Sequence, residues 1–163
     1  LLNEEAVGQW RTFAKVSPPL RTENDRKAVY KAIINGQIDA INSDHNPHDQ
    51  DSKRLPFEQA APGIIGLETL LQLSLRLVHH GNMKLIHLLD RLTSAPAKIM
   101  GLEVGCLSKN TAADIVIFDP YADQLIDPKE FNSKSHNCPF EQEAVKGKII
   151  ATLVDGRIVF QNK

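Results

Sequence analysis

A predicted helix that is followed within a few residues by a predicted strand is the strongest constraint on the fold of this chain. Thr22 can accept backbone N–H bonds as an N-cap, acidic residues follow it, and Gly36 is a natural stop. Residues 38–43 are then predicted to form a short apolar strand. A helix joined to a strand by a short link is typical of an α/β barrel or sheet. Between the two helix ends runs an apolar stripe at helical spacing, made of Ala28, Val29, Ala32 and Ile33.

The segment Asp44–His48 follows this predicted strand directly and has the sequence Asp-His-Asn-Pro-His. In parallel α/β folds, ligands and catalytic groups gather at the C-terminal ends of the strands. A carboxylate in such a place can bind a metal or take a proton from a metal-bound water. Asp, Asn and Pro are also ordinary turn residues, so a polar turn is the alternative interpretation.

The part of the chain up to residue 100 is otherwise predicted to consist of loops and helices. Residues 1–21 and 50–61 are predicted to be loops, and we expect Lys53 and Arg54 in the second loop to be solvated. Apolar residues at helical spacing predict further helices, which cover residues 66–80, 84–92 and 93–100.

After Gly101 the pattern changes from helical to β. Strands are predicted at residues 115–118, 149–154 and 157–160. The last two flank Asp155-Gly156, a strong signal for a two-residue hairpin turn. We therefore predict a domain boundary between residues 100 and 101.

Composition and charge exclude several classes of protein. The chain has 163 residues, of which 42% are hydrophobic and 24% charged, as expected of a soluble globular domain. Its net charge of −1 gives no electrostatic support for nucleic-acid binding. Apolar runs stay below the ~20 residues that cross a bilayer, so we expect no membrane span. The separated Cys106 and Cys138 favour reduced thiols in the cytoplasm over a disulfide framework or a structural zinc site.

Several further motifs follow one another in a recognisable order. They are Lys-Val-Ser-Pro-Pro-Leu-Arg at residues 15–21, Asp-His-Asn-Pro-His at 44–48, Pro-Gly-Ile-Ile-Gly-Leu-Glu-Thr at 62–69, Ala-Asp-Ile-Val at 113–116 and Asn-Cys-Pro-Phe at 137–140. Over nearly the whole chain, this set resembles the C-terminal part of a dihydroorotase, within the cyclic amidohydrolase superfamily. The resemblance implies an α/β fold in which residues 1–100 complete a (β/α)8 TIM-like metal-dependent hydrolase barrel. It implies that residues 101–163 belong to a small β-sandwich.

The same resemblance implies a zinc-dependent enzyme of pyrimidine biosynthesis that reversibly hydrolyses dihydroorotate to N-carbamoyl-aspartate. Zinc would polarise the amide carbonyl and lower the pKa of bound water. By its position in the motif, Asp44 is expected to be the catalytic proton acceptor and also a metal ligand. His48, Pro62, Gly63 and Ser17 are expected to bind substrate, although Ser17 stands where many dihydroorotases carry Asn. His45 is expected to orient its neighbours.

Other parts of the family pattern have no counterpart in this sequence, including the His-x-His pair and the bridging metal ligand. We therefore expect a C-terminal fragment that is inactive alone, with most zinc ligands in an N-terminal part. The expected partners are the small-molecule substrate and a second copy in a homodimer. One alternative is a non-catalytic scaffold for aspartate transcarbamoylase, which would not need Asp44 and His48. A sister amidohydrolase, such as a hydantoinase or allantoinase, is another.

Overall fold

A computed structural model describes residues 1–162 and shows an α/β chain that divides into two compact units. The first unit comprises residues 1–37, 43–70 and 125–143, and the second comprises residues 38–42, 71–124 and 144–163. The two units are groups of residues in contact in space, and each is made of separate stretches of the chain. The predicted domain boundary between residues 100 and 101 stays a prediction.

The first unit contains helix α1, Glu23–Ile34, whose ends lie where the sequence predicts them. Thr22 accepts a hydrogen bond from the Asp25 backbone N–H, and the Asp25 carboxylate accepts one from the Thr22 backbone N–H. This reciprocal capping box satisfies two amides at the helix start. The helix ends at Ile34, and Gly36 follows with a φ of 79° that favours glycine.

The two predicted loops of the first unit contain short helices. Residues 1–21 include 3-10 helices at Glu4–Val7 and Thr12–Ala14. Helix α2, Gln50–Arg54, lies in the second loop and starts where Asp49 accepts a hydrogen bond from the Ser52 amide at 2.8 Å. The expectation that Lys53 is solvated is wrong, since only 1% of Lys53 is exposed.

The prediction of a strand at residues 38–43 is also wrong. A strand needs a neighbouring strand with which to exchange hydrogen bonds. Within the described residues, this segment is instead bonded to the end of a helix, because Ile41 donates to the Arg91 carbonyl and the Arg91 side chain donates to the Ile38 carbonyl. One isolated parallel bridge follows, between His45 and Ile64.

The helices of the predicted region 66–100 are α3 (Leu70–His79), α4 (Leu85–Leu92) and α5 (Ser94–Ile99). Helix α3 begins four residues later than predicted, because Thr69 donates to the Gly66 carbonyl in a turn that precedes it. The buried apolar side chains that these helices contribute to the second unit are Leu73, Leu75, Leu77, Leu88 and Ala97. A helix capable of crossing a bilayer is absent from residues 1–162.

The strands are β1 (Ile115–Leu125), β2 (Ala144–Val154) and β3 (Arg157–Gln161), which form a three-stranded sheet in the order β1-β2-β3. The antiparallel hairpin of β2 and β3 turns at Asp155 and Gly156, whose φ angles of 49° and 74° suit the predicted two-residue turn. Strand β1 extends well beyond the predicted residues 115–118. Among the described residues this is one sheet, so the predicted β-sandwich stays a prediction.

Candidate functional site

A cavity of about 210 Å³ in the first unit brings several predicted site residues together. Asp44, Ser17 and Gly63 all line it, although they are separated by up to 46 positions in the sequence. Its lining residues are Val16, Ser17, Pro18, Leu20, Ser43, Asp44, Asn46, Gly63 and Ile64. Both Asp44 and Ser17 are exposed to solvent.

The loop that carries Asp44 is fixed to the segment around Ile64. The Asn46 amide donates to the Ile64 carbonyl at 2.8 Å. The Nδ1 atom of His45 accepts hydrogen bonds from the amides of Gly66 at 3.1 Å and Leu67 at 3.3 Å. A ring nitrogen that accepts from N–H groups carries no proton, which leaves the proton of neutral His45 on Nε2. His45 therefore links the Asp44 loop to the start of the turn at residues 66–69.

His48 lies outside the set of residues that line the Asp44 cavity. Its Nε2 is 2.9 Å from the Pro62 carbonyl, and its own carbonyl accepts a hydrogen bond from the Ser135 hydroxyl at 2.8 Å. A nitrogen facing a carbonyl oxygen must donate, so neutral His48 keeps Nδ1 as an acceptor. The His48 side chain lines a second cavity, of about 140 Å³. Contact between His48 and substrate therefore stays a prediction.

The backbone of Gly63 is fully engaged with protein groups. Its amide donates to the Lys15 carbonyl at 2.8 Å, and its carbonyl accepts from Lys53 Nζ at 3.1 Å and Asn137 Nδ2 at 3.0 Å. The Pro62 carbonyl in turn faces His48. Substrate contact at Pro62 and Gly63 stays a prediction, and these polar atoms already have protein partners.

Gly63 also lies closer to its neighbours than a side chain would permit. A Cβ atom on Gly63 would stand 2.7 Å from Asn46 Nδ2 and 2.9 Å from His48 Nε2, and its φ of 144° is one that other residues rarely adopt. The glycine is therefore required for the close packing of its segment against the Asp44–His48 loop.

Lys53 and Asn137 are residues whose importance the sequence analysis missed. Both are buried, and both donate to the Gly63 carbonyl. Burial and the nearby Lys15 lower the pKa of Lys53 to about 8. A lysine in a polar stretch gives no signal of burial. Asn137 had a signal, since it begins the Asn-Cys-Pro-Phe motif, in which all four residues are buried.

The described residues do not by themselves make a metal centre. Within residues 1–162, no group of three or more His, Cys, Asp or Glu side chains is placed to hold a metal ion. The Nδ1 atom of His45 and the Nε2 atom of His48 already have backbone partners. The Asp44 carboxylate at the cavity could supply one ligand, and a carboxylate oxygen is a ligand that zinc accepts.

Comparison with known proteins shows what this arrangement resembles. Residues 15–159 match the amidohydrolase family. The curated dihydroorotase of Anaplasma phagocytophilum is 47% identical over 161 residues, which are 99% of this chain and 36% of that protein. The dihydroorotase of Geobacter metallireducens is 46% identical over 160 residues, or 98% of this chain and 38% of that protein.

Solved structures lead to the same superfamily. An L-hydantoinase (dihydropyrimidinase) from Arthrobacter aurescens is 29% identical with a TM-score of 0.89, and the match covers 98% of this chain and 37% of that one. A dihydropyrimidinase from Brevibacillus agri is 26% identical with a TM-score of 0.87, and the match covers 100% of this chain and 38% of that one. The predicted resemblance to the C-terminal part of dihydroorotases is confirmed. The chain spans 36–38% of the length of the curated relatives it matches.

Proposed function

Since the chain belongs to the amidohydrolase family, we propose that it forms the C-terminal part of a dihydroorotase. This enzyme interconverts dihydroorotate and N-carbamoyl-aspartate in pyrimidine biosynthesis. The observation that carries the proposal is the match to curated dihydroorotases, which are 44–47% identical over 98–99% of this chain. The solved hydantoinases are more distant, at 29% identity or less. Residues 1–100 form the last part of the barrel in this proposal, and residues 101–163 form part of a β-sandwich.

Asp44 is the proton carrier in the proposed reaction. Its carboxylate oxygen takes a proton from water as the water oxygen bonds to the amide carbon of the ring. The C–N bond then breaks, and Asp44 returns the proton to the departing ring nitrogen, so the carboxylate is regenerated. The position of Asp44 supports this role, because the residue is exposed to solvent and lines the cavity.

In this proposal the substrate is held by Ser17 and Gly63 on the Asp44 cavity and by His48, which lies outside that cavity. The Ser17 hydroxyl lines the same cavity and offers one donor and two acceptor lone pairs. The Pro62-Gly63 segment forms a wall against which the ring lies, with Gly63 allowing close approach. His48 binds the substrate through Nδ1, since Nε2 faces Pro62. The cavity of about 210 Å³ is smaller than the ~300–1,000 Å³ of typical ligand pockets, so it suits part of a site for a small ring.

We propose zinc as the metal of the complete enzyme, with Asp44 as one ligand. The remaining ligands lie outside the described residues in this proposal, because residues 1–162 hold no group of three candidate ligands. Members of this family are generally metal-dependent. We also propose a homodimer in the cytoplasm, and the free thiols of Cys106 and Cys138 suit that reducing compartment.

Two other functions compete with this proposal. The hydantoinase alternative draws on the similarity in fold to a solved L-hydantoinase and a solved dihydropyrimidinase, with TM-scores of 0.89 and 0.87, and an allantoinase remains the other sister amidohydrolase to be tested. A non-catalytic scaffold for aspartate transcarbamoylase is disfavoured by the retention of an accessible Asp44 at a cavity.

Substrate preference in a hybrid enzyme tests these alternatives. In the hybrid, the 161 matched residues of the Anaplasma phagocytophilum dihydroorotase are replaced by this chain. We expect hydrolysis of dihydroorotate with a kcat/KM well above that for hydantoin, allantoin or dihydrouracil. The Anaplasma phagocytophilum enzyme without these 161 residues serves as the control that measures the background rate. A preference for hydantoin would replace our proposal with the hydantoinase alternative, and an inactive but folded hybrid would favour the scaffold.

A further inference from the structure

Lys53 is an unusual residue because its ammonium group is buried against backbone carbonyls. Only 1% of the residue is exposed, and Nζ donates to the Ala61 carbonyl at 2.8 Å and the Gly63 carbonyl at 3.1 Å. Burial and the nearby Lys15 lower the pKa of this ammonium group to about 8. Burying a charge is costly unless it is paired or hydrogen-bonded, and here the two backbone carbonyls supply the hydrogen bonds.

Asn137 reaches the same carbonyl from another part of the chain. Its Nδ2 donates to Gly63 at 3.0 Å and to the Asn46 carbonyl at 3.1 Å. The backbone carbonyl of Asn137 accepts a hydrogen bond from the Ile65 amide at 3.2 Å. Asn137 thus ties the Asp44–His48 loop to the segment that contains Gly63.

The position of Gly63 sets the position of the side chains beside it. Asn46 Nδ2 and His48 Nε2 lie so close to Gly63 that a Cβ atom would meet them at 2.7 and 2.9 Å. A shift of Gly63 by a few tenths of an ångström would therefore move both side chains or open a gap beside them. Asn46 and Gly63 line the cavity that contains Asp44.

We propose that Lys53 and Asn137 are positioning residues that clamp the Gly63 carbonyl and so fix the shape of the substrate cavity. Neither residue touches the reacting atoms in this account. Lys53 acts through Gly63, and Asn137 acts through Gly63 and Asn46. This inference rests on the proposed function for its effect on catalysis, but the clamp can be tested without turnover.

Hydrogen exchange of single amides tests the clamp in the 163-residue chain. We expect Lys53→Met to speed exchange of the Gly63 and Asn46 amides by about tenfold, since local opening exposes them. Amides of the β2–β3 hairpin should keep their rates. The matched control is Lys134→Met, which removes an exposed lysine from the same unit. Asn137→Leu should speed the same two amides.

Several outcomes would overturn the clamp. These are unchanged exchange of Gly63 and Asn46 in both variants, or an unprotected Gly63 amide in the unsubstituted chain. If Lys53→Met raises exchange throughout the molecule, the variant Lys53→Arg distinguishes loss of the clamp from a general loss of stability. Arg keeps a positive charge and N–H donors at the end of the side chain, so Lys53→Arg should restore slow exchange at Gly63. Failure of Arg to do so, in a folded protein, would refute the role.

Kinetics of the hybrid enzyme test the consequence for substrate. We expect Lys53→Met to raise KM for dihydroorotate by about fivefold while kcat changes by less than about twofold, because Gly63 adjoins binding groups. Lys53→Arg should recover most of the loss. A fall in kcat with KM unchanged would contradict the positioning role. If the unsubstituted hybrid fails to hydrolyse dihydroorotate, the proposed function fails, while the exchange data still decide the clamp.

Discussion

Gly63 is the residue at which backbone conformation and close packing coincide. We expect Gly63→Ala to reduce the free energy of unfolding by about 2–4 kcal/mol, because overpacking adds to the strain of a positive φ. Gly81→Ala is a matched control, since Gly81 has a φ of 71° but nothing within 4 Å of its Cβ position. Chemical denaturation of both variants measures the difference. Equal losses in the two variants would show that crowding at Asn46 and His48 contributes nothing.

The buried ammonium of Lys53 predicts a dependence of stability on pH. Burial and Lys15 lower its pKa from 10.5 to about 8. Between these values the unfolded chain binds more protons than the folded one, so stability rises with pH across that window. Relative to Lys53→Met, the free energy of unfolding should increase from pH 8 to 10.5 by on the order of 3 kcal/mol.

Urea denaturation at several pH values checks this dependence. The same comparison with Lys134→Met, which replaces an exposed lysine, should give a difference that does not vary with pH. A pH-independent difference for Lys53→Met would mean that Lys53 is not buried as a charge.

At this scale the sequence predicted which residues lie together at the cavity better than it predicted the residues that support them. Asp44, Ser17 and Gly63 were expected at one site, and they line one cavity. Lys53 was missed because its burial depends on carbonyls eight and ten residues further on, which fold back over it. Local composition cannot indicate such a return of the chain.

Helix α1 is the element whose boundaries depend most clearly on local sequence. Thr22→Ala removes the acceptor for the Asp25 amide, and we expect a loss of about 1 kcal/mol in the free energy of unfolding. Thr22→Ser keeps a hydroxyl at the same position and should lose far less. Thermal denaturation of both variants makes the comparison. A loss in the Ser variant as large as that in Ala would argue against capping as the cause.

The elements divide by whether their signals are local. The N-cap at Thr22 and the Asp155-Gly156 turn lie within a few residues of the structures they specify, and both were predicted correctly. The strand at residues 38–43 was wrong because pairing depends on a partner far along the chain. There Ile41 bonds to Arg91 instead.

At the scale of the whole molecule, we predict that the 163-residue chain does not hydrolyse dihydroorotate by itself and binds less than one zinc per chain. The reason is that residues 1–162 hold no group of three candidate ligands around Asp44. Elemental analysis together with the intact mass measures the zinc content, and an assay with dihydroorotate measures turnover. Stoichiometric zinc on a chain of 18.1 kDa would reveal a metal site that our account does not contain.

The proton-transfer role of Asp44 is the central claim, and kcat/KM of the hybrid enzyme for dihydroorotate tests it most directly. We expect Asp44→Asn to lower kcat/KM by ~10²–10⁴-fold, which is the range that general acid–base catalysis supplies, because an amide cannot accept the proton. Asp39→Asn, at an exposed acid five residues earlier, should leave it unchanged. A hybrid that keeps its kcat/KM after Asp44→Asn would contradict the account.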